Sequence, residues 1–147
     1  MLETWLNDKA LQVEETVNDW PQALELCARP LLAAGIITPQ YLTAIATQHQ
    51  QLGPYYVLAP GLAMPHARPE EGAKGMGLSL LKVNHGVSFG SQDFDPVRVI
   101  VMLAAPDKNS HIDMISSLAQ LFSSEEDMAQ LQQASTVEEI KKIIQRY

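Results

Sequence analysis

Four histidines and one cysteine are the side chains of this 147-residue sequence best suited to nucleophilic or metal chemistry. His66 has the most constrained setting. It closes the run Pro60-Gly61-Leu62-Ala63-Met64-Pro65-His66, and Pro69 follows soon after. Pro65 fixes its own φ, has no backbone N–H to donate, and pushes Met64 towards an extended conformation. Such a segment is a poor helix and reads as an edge strand running into a loop, with one imidazole aimed from a stiff backbone. Imidazole keeps a free lone pair near neutral pH, so it can act as general base, metal ligand or covalent phosphoryl carrier. Spacing alone leaves these open, beside a loop histidine with no role. A metal site needs further ligands, and no His-x-x-x-His pair or paired cysteine stands nearby. Neither metal nor cofactor is expected.

His111 is the second residue of interest. It opens an apolar-periodic stretch just beyond the most hydrophobic run of the chain, Val97 to Ala105. Open α/β sheets bind ligands beyond the ends of such strands, and a helix N-terminus presents free N–H groups that suit a phosphate. The other two histidines read blandly: His49 as part of the polar, solvated end of a helix (Gln48-His49-Gln50-Gln51), and His85 as part of an Asn84-His85-Gly86 turn. Cys27 is the only cysteine, so no intrachain disulfide can form, and its apolar neighbours make it a small buried hydrophobe.

The elements that would position these residues follow from periodicity and punctuation. Residues 1 to 10 form an amphipathic lead-in anchored by Trp5 and Leu6, and a short strand follows at Leu11 to Val13. Trp20-Pro21 opens a helix capped by Asp19 or Asn18, with Pro30 disturbing its last turns and Gly35 ending it. Thr38-Pro39 opens a second, with Tyr41, Leu42 and Ile45 inward, stopped by Gly53-Pro54. Strands are expected at Tyr55 to Ala59, Gly77 to Val83, briefly at Val87 to Phe89, and at Val97 to Ala105 as a central, doubly covered strand. A helix capped by Asn109 or Ser110 should begin at His111. A short helix over Glu125 to Gln133 and a last one to Ile144, with a capping box from Ser135-Thr136 to Glu138 or Glu139, complete the chain. This order predicts an α/β (α+β) single domain over residues 1–147, a mixed β-sheet flanked by helices on both faces.

Apolar content of 46% and length fit one well-filled core. A net charge of -7 excludes general nucleic-acid binding and favours a partner with a basic face. The first ten residues lack an apolar core run, and no stretch reaches the roughly 18 apolar residues of a membrane span, so a cytoplasmic protein is expected.

The string Gly53-Pro-Tyr-Tyr-Val-Leu-Ala-Pro-Gly-Leu-Ala-Met-Pro-His-Ala-Arg-Pro-Glu-Glu-Gly72, with Ser110-His111 at a later helix start, resembles the enzyme IIA domain of the bacterial phosphoenolpyruvate-dependent sugar phosphotransferase system. The resemblance is to the mannitol/fructose type, closest to the ascorbate-specific branch. It covers the chain in length and element order, and its specific part is Gly53 to Gly72. It implies a phosphotransferase with a phosphohistidine intermediate. The phosphoryl group would come from the phosphocarrier HPr and leave to a cysteine of a cognate IIB component, serving a membrane IIC component indirectly. By the same resemblance His66 is the phosphorylated residue, at Nε2 with Nδ1 held by a backbone acceptor, and His111 is the supporting histidine. Gly61, Pro65 and Ser110 would support the loop and the phosphoryl group. Gln48 stands near the position of an arginine common in mannitol- and fructose-type members. Either Arg68 supplies the positive group, or neutral donors do. L-Ascorbate is the first substrate expectation, and a pentitol or mannitol-like polyol the next. A homodimer is left open. A regulatory IIA-like protein is the alternative, and a metal-dependent hydrolase using His66 and His111 ranks last.

Overall fold

A computed structural model describes all residues, 1–147. The chain is built on one five-stranded mixed sheet. Its strands are β1 (Leu11–Glu14), β2 (Val57–Ala59), β3 (Leu62–Ala63), β4 (Gly77–Val87) and β5 (Val97–Ala104). They lie in the order β1-β4-β5-β3-β2. β1 runs parallel to β4 and β3 parallel to β5, while the β4–β5 and β2–β3 pairs are antiparallel. β5 is the central strand, as its apolar run predicts. Alternate residues enter two cores, Val99, Val101 and Leu103 on one face and Ile100, Met102 and Ala104 on the other.

The first face is covered by α3 (Ile112–Phe122), α4 (Glu125–Gln133), α5 (Val137–Ile144) and the N-terminal turns, and the second by α1 (Trp20–Ala33) and α2 (Pro39–Leu52). Helix starts follow their punctuation. Asp19 accepts a hydrogen bond from the Gln22 N–H at 3.0 Å, a cap of about 1 kcal/mol, and Pro21 occupies the first turn. Thr136 caps α5 in the same way, accepting from Glu139 N–H at 3.2 Å. Pro30 is carried inside α1, which continues to Ala33.

Several expectations are corrected. β3 is not an edge strand: it lies between β5 and β2. Asn84-His85-Gly86 is not a turn, because β4 runs on to Val87 through a register shift against β5, with Gly86 at φ +76°. A glycine with positive φ suits a strand irregularity as well as a turn. Ser88 and Phe89 lie outside any strand, in a turn gathered by Asp95, whose carboxylate accepts from the N–H groups of Phe89, Gly90 and Ser91. Neither Asn109 nor Ser110 caps α3. His111 holds that position and makes no capping bond, while Asp107 accepts from the N–H groups of Asn109 at 2.8 Å and Ser110 at 2.7 Å. His49 is not solvated. It is 6% exposed, stacked on Trp20 at 3.8 Å, with Nδ1 2.6 Å from the Tyr56 hydroxyl and Nε2 2.9 Å from the Phe89 carbonyl.

Candidate active site

The loop carrying His66 leaves the C-terminal end of β3 beside that of β5. Three backbone contacts pin it. Met64 N–H donates to the Tyr56 carbonyl at 2.9 Å, Leu103 N–H donates to the Pro65 carbonyl at 3.1 Å, and Ala67 N–H donates to the Tyr41 hydroxyl at 3.0 Å. Tyr41, from α2, donates its own hydroxyl hydrogen bond to the Leu103 carbonyl at 2.7 Å. Burial pushes its phenol up to about 12, so it stays protonated and keeps this donor. Pro65, expected as loop support, is buried and contributes through its carbonyl.

The pinned loop fixes the imidazole. His66 Nδ1 lies 2.8 Å from the Met64 carbonyl oxygen. A carbonyl can only accept, so Nδ1 carries a proton, and in the neutral ring the lone pair is then on Nε2. His66 is half-buried and lines a cleft of about 300 Å³, together with Gln48, Tyr55, Arg68, Lys108 and His111. A larger depression of about 560 Å³ between the N-terminal turns and α5 is lined by an Asp8–Lys141 ion pair and contains no histidine or cysteine.

His111 sits at the start of α3 and lines the same cleft. Its Nδ1 is buried without any hydrogen-bond partner. Asp107, on the same rim, is held below the usual carboxylate range by the N–H groups of Ser110 and Asn109. Arg68 and Lys108 both line the cleft, and neither forms an ion pair with a carboxylate. The cleft therefore joins a lone-pair nitrogen, a second imidazole and two unpaired cations, a set suited to a nucleophile meeting an anionic group.

Gln48 reaches the cleft but is engaged. Its Nε2 donates to both oxygens of Glu71, at 3.1 and 3.3 Å, and its Oε1 accepts from the Tyr55 hydroxyl at 2.8 Å. That hydroxyl is also 3.1 Å from the His66 carbonyl. Glu71 further accepts from Arg68 N–H at 3.2 Å. Gly61 lies away from the cleft, at the opposite end of β3. Its φ is +75°, and an added Cβ would come within 2.5 Å of the Gln132 amide. Ser110 does not line the cleft either; its N–H serves Asp107.

Tyr41, Glu71, Asp107 and Lys108 are residues of the site that sequence reasoning did not name. Glu71 had a usable signal, since Arg68-Pro69-Glu70-Glu71 has the spacing of a capped turn with an acidic residue in its third position. Of the apolar residues near the loop, Leu62 and Tyr56 are core, Met64 is half-buried, and Tyr55 is exposed. No group of three or more His, Cys, Asp or Glu side chains is placed to hold a metal ion.

The family model described as "Phosphoenolpyruvate-dependent sugar phosphotransferase system, EIIA 2" matches residues 4–147. The chain is 37% identical over 140 residues to the ascorbate-specific PTS system EIIA component of Escherichia coli (strain K12), covering 95% of this chain and 91% of that protein. It is 36% identical to the component of the same name from Salmonella typhimurium, with the same coverage. Among solved structures, the mannitol-specific cryptic phosphotransferase enzyme IIA CmtB of Escherichia coli superposes with a TM-score of 0.92 at 37% identity, over 99% of each chain. The complex of enzyme IIAMTL and phosphorylated enzyme IIBMTL from Escherichia coli shares the fold, with a TM-score of 0.80 at 21% identity over 96% of this chain and 97% of that one. The chain belongs to the EIIA 2 family of the phosphoenolpyruvate-dependent sugar phosphotransferase system, and it is a phosphotransferase component of that system.

Proposed function

We propose that His66 Nε2 accepts a phosphoryl group from phospho-HPr and passes it to a cysteine of a cognate IIB component, in a system that takes up L-ascorbate. The observation that carries this reading is the 2.8 Å contact of His66 Nδ1 with the Met64 carbonyl in a cleft that also holds His111 and Arg68. The Nε2 lone pair attacks phosphorus as the donor's P–N bond breaks, and that electron pair stays with the donor imidazole. The new phosphoimidazolium is positive at Nδ1–H, whose bond to the Met64 carbonyl becomes charge-assisted and stronger. Onward transfer to the acceptor's cysteine thiolate forms a P–S bond, and the Nε2–P pair returns to the ring. Little covalent chemistry is required beyond the nucleophile, so positioning and charge do the rest. Arg68 and His111 face the phosphoryl oxygens. Gln48 acts through Tyr55 and Glu71 because its amide is engaged. The ascorbate assignment rests on the 37% identity to the ascorbate-specific component, with a mannitol-like polyol second on the equal identity to CmtB.

The test is incubation with phosphoenolpyruvate, enzyme I and HPr, followed by intact-mass analysis. Wild type gains one phosphoryl group, stable in alkali and lost in acid, and His66→Ala gains none. A label retained by His66→Ala, or one stable in acid, refutes the assignment. Ascorbate supply is tested by the same relay with a IIB and IIC pair and labelled ascorbate or mannitol.

A further inference from the structure

One carboxylate close to the cleft has no counter-charge. Glu71 ends the short turn Pro69–Glu71 and forms no ion pair with any Lys, Arg or His. Its oxygens are held by neutral donors only, Gln48 Nε2 and Arg68 N–H. It is also the head of a directed chain. Because a carboxylate can only accept, the Gln48 amide must turn its N–H groups to Glu71 and its oxygen to Tyr55. Tyr55 must then donate, to Gln48 Oε1 at 2.8 Å, beside the His66 carbonyl at 3.1 Å. The negative charge is felt across the cleft wall: Glu71 contributes to the raised phenol ionisations of both Tyr41 and Tyr55, behind burial as the main cause.

We propose that Glu71 is a positioning residue with an electrostatic role, its uncompensated charge raising the phosphoryl-transfer potential of phospho-His66 while its hydrogen bonds hold Gln48, Tyr55 and the Arg68 backbone in register. The proposal rests on the reading of His66 as the phosphorylated residue. The phosphoryl group arrives carrying negative charge, and a fixed carboxylate three hydrogen bonds away opposes its residence. The opposition makes phospho-His66 a weaker sink and a better donor. A glutamine at position 48 leaves this charge in place, where a cation would neutralise it.

The experiment is the equilibrium ratio of phosphorylated to free protein against a fixed phospho-HPr to HPr ratio, read by intact mass at low salt, together with the forward and reverse rates. Glu71→Gln, nearly isosteric and able to accept the same two N–H groups, is expected to shift the ratio about three- to tenfold towards the phosphorylated form, and less at high salt. Glu71→Asp keeps the charge and is expected to keep the wild-type ratio with slower transfer in both directions. Gln48→Arg sets a cation against Glu71 and is expected to shift the ratio in the same direction as Glu71→Gln. Unchanged ratios in Glu71→Gln and Gln48→Arg, with only rates altered, overturn the electrostatic role. Should wild type fail to be phosphorylated, or His66→Ala be labelled, the failure lies with the His66 reading instead.

Discussion

Tyr41→Phe removes one oxygen atom and isolates the contribution of α2 to the His66 loop. The tyrosine is 1% exposed, and its hydroxyl sits between two backbone groups of the site. It donates to the Leu103 carbonyl at 2.7 Å and accepts from Ala67 N–H at 3.0 Å. The phenylalanine ring fills the same space, so packing is retained and the loss is two hydrogen bonds. At roughly 1–1.5 kcal/mol each, the variant should be destabilised by about 2–3 kcal/mol. With a urea m-value of about 2 kcal/mol/M, the unfolding midpoint should fall by about 1–1.5 M at unchanged m. Trp5 and Trp20 provide the fluorescence signal. The loop keeps its Met64 and Pro65 contacts. His66 should therefore remain phosphorylatable, with acceptance slowed several-fold. A midpoint within about 0.3 M of wild type, with unchanged acceptance, would refute the claim that Tyr41 holds the loop.

His111→Ala should fold with little loss of stability, because the buried Nδ1 has no partner to lose. Its phosphoryl acceptance, measured by rapid quench, should fall by about 10²-fold, the scale of one lost donor to a charged transition state. Burial lowers the His49 ionisation below its ordinary value, so the folded protein takes up a proton there less readily than the unfolded chain does. The resulting stability is present above the unfolded value of about 6.5 and is lost as pH falls below it, towards the depressed folded value. Melting temperature should thus decline from pH 7 to 5 more steeply in wild type than in His49→Gln, and equal slopes would contradict this.

The sequence was most informative where local chemistry decides structure. Asp19 and Thr38 before Trp20-Pro21 and Pro39 place two helix starts without any tertiary help. The Pro-stiffened approach to His66 identifies a rigid loop, and the apolar run of β5 identifies the centre of the sheet. Readings failed where partners lie far along the chain. His49 was judged by its polar neighbours Gln48 and Gln50, yet it continues the inward row of Tyr41 and Ile45 at a spacing of four, the periodicity that puts it in the core. Its acceptor is Phe89, 40 residues away. The β3 position between two strands depends on pairing Leu62 with Val99, which a two-residue strand cannot announce. Gln48 was legible as a departure from a charged position, but its engagement by Glu71 was not, since that contact depends on how the Pro69–Glu71 turn folds back on α2.

The fixed tautomer of His66 also limits how the proposed reaction can be organised in space. The Met64 carbonyl closes the Nδ1 side, so phosphorus must arrive and depart along the one open Nε2 direction. Donor and acceptor proteins must then present their reacting side chains to the same cleft, one after the other. A shared face favours contacts that are specific but quickly released, of the modest area typical of transient complexes. Four of the five large apolar side chains exposed on this protein lie on the segments that bring the site residues to the cleft: Leu52 at the end of α2, Tyr55 and Leu58 at and before β2, and Ile112 in the first turn of α3. Their burial by a partner supplies a non-directional attraction that either protein can use. Arg68 and Lys108, which line the same cleft, attract whichever partner carries the phosphoryl charge. On this arrangement apolar contact holds either partner, and the position of the phosphoryl group decides which one is held longer.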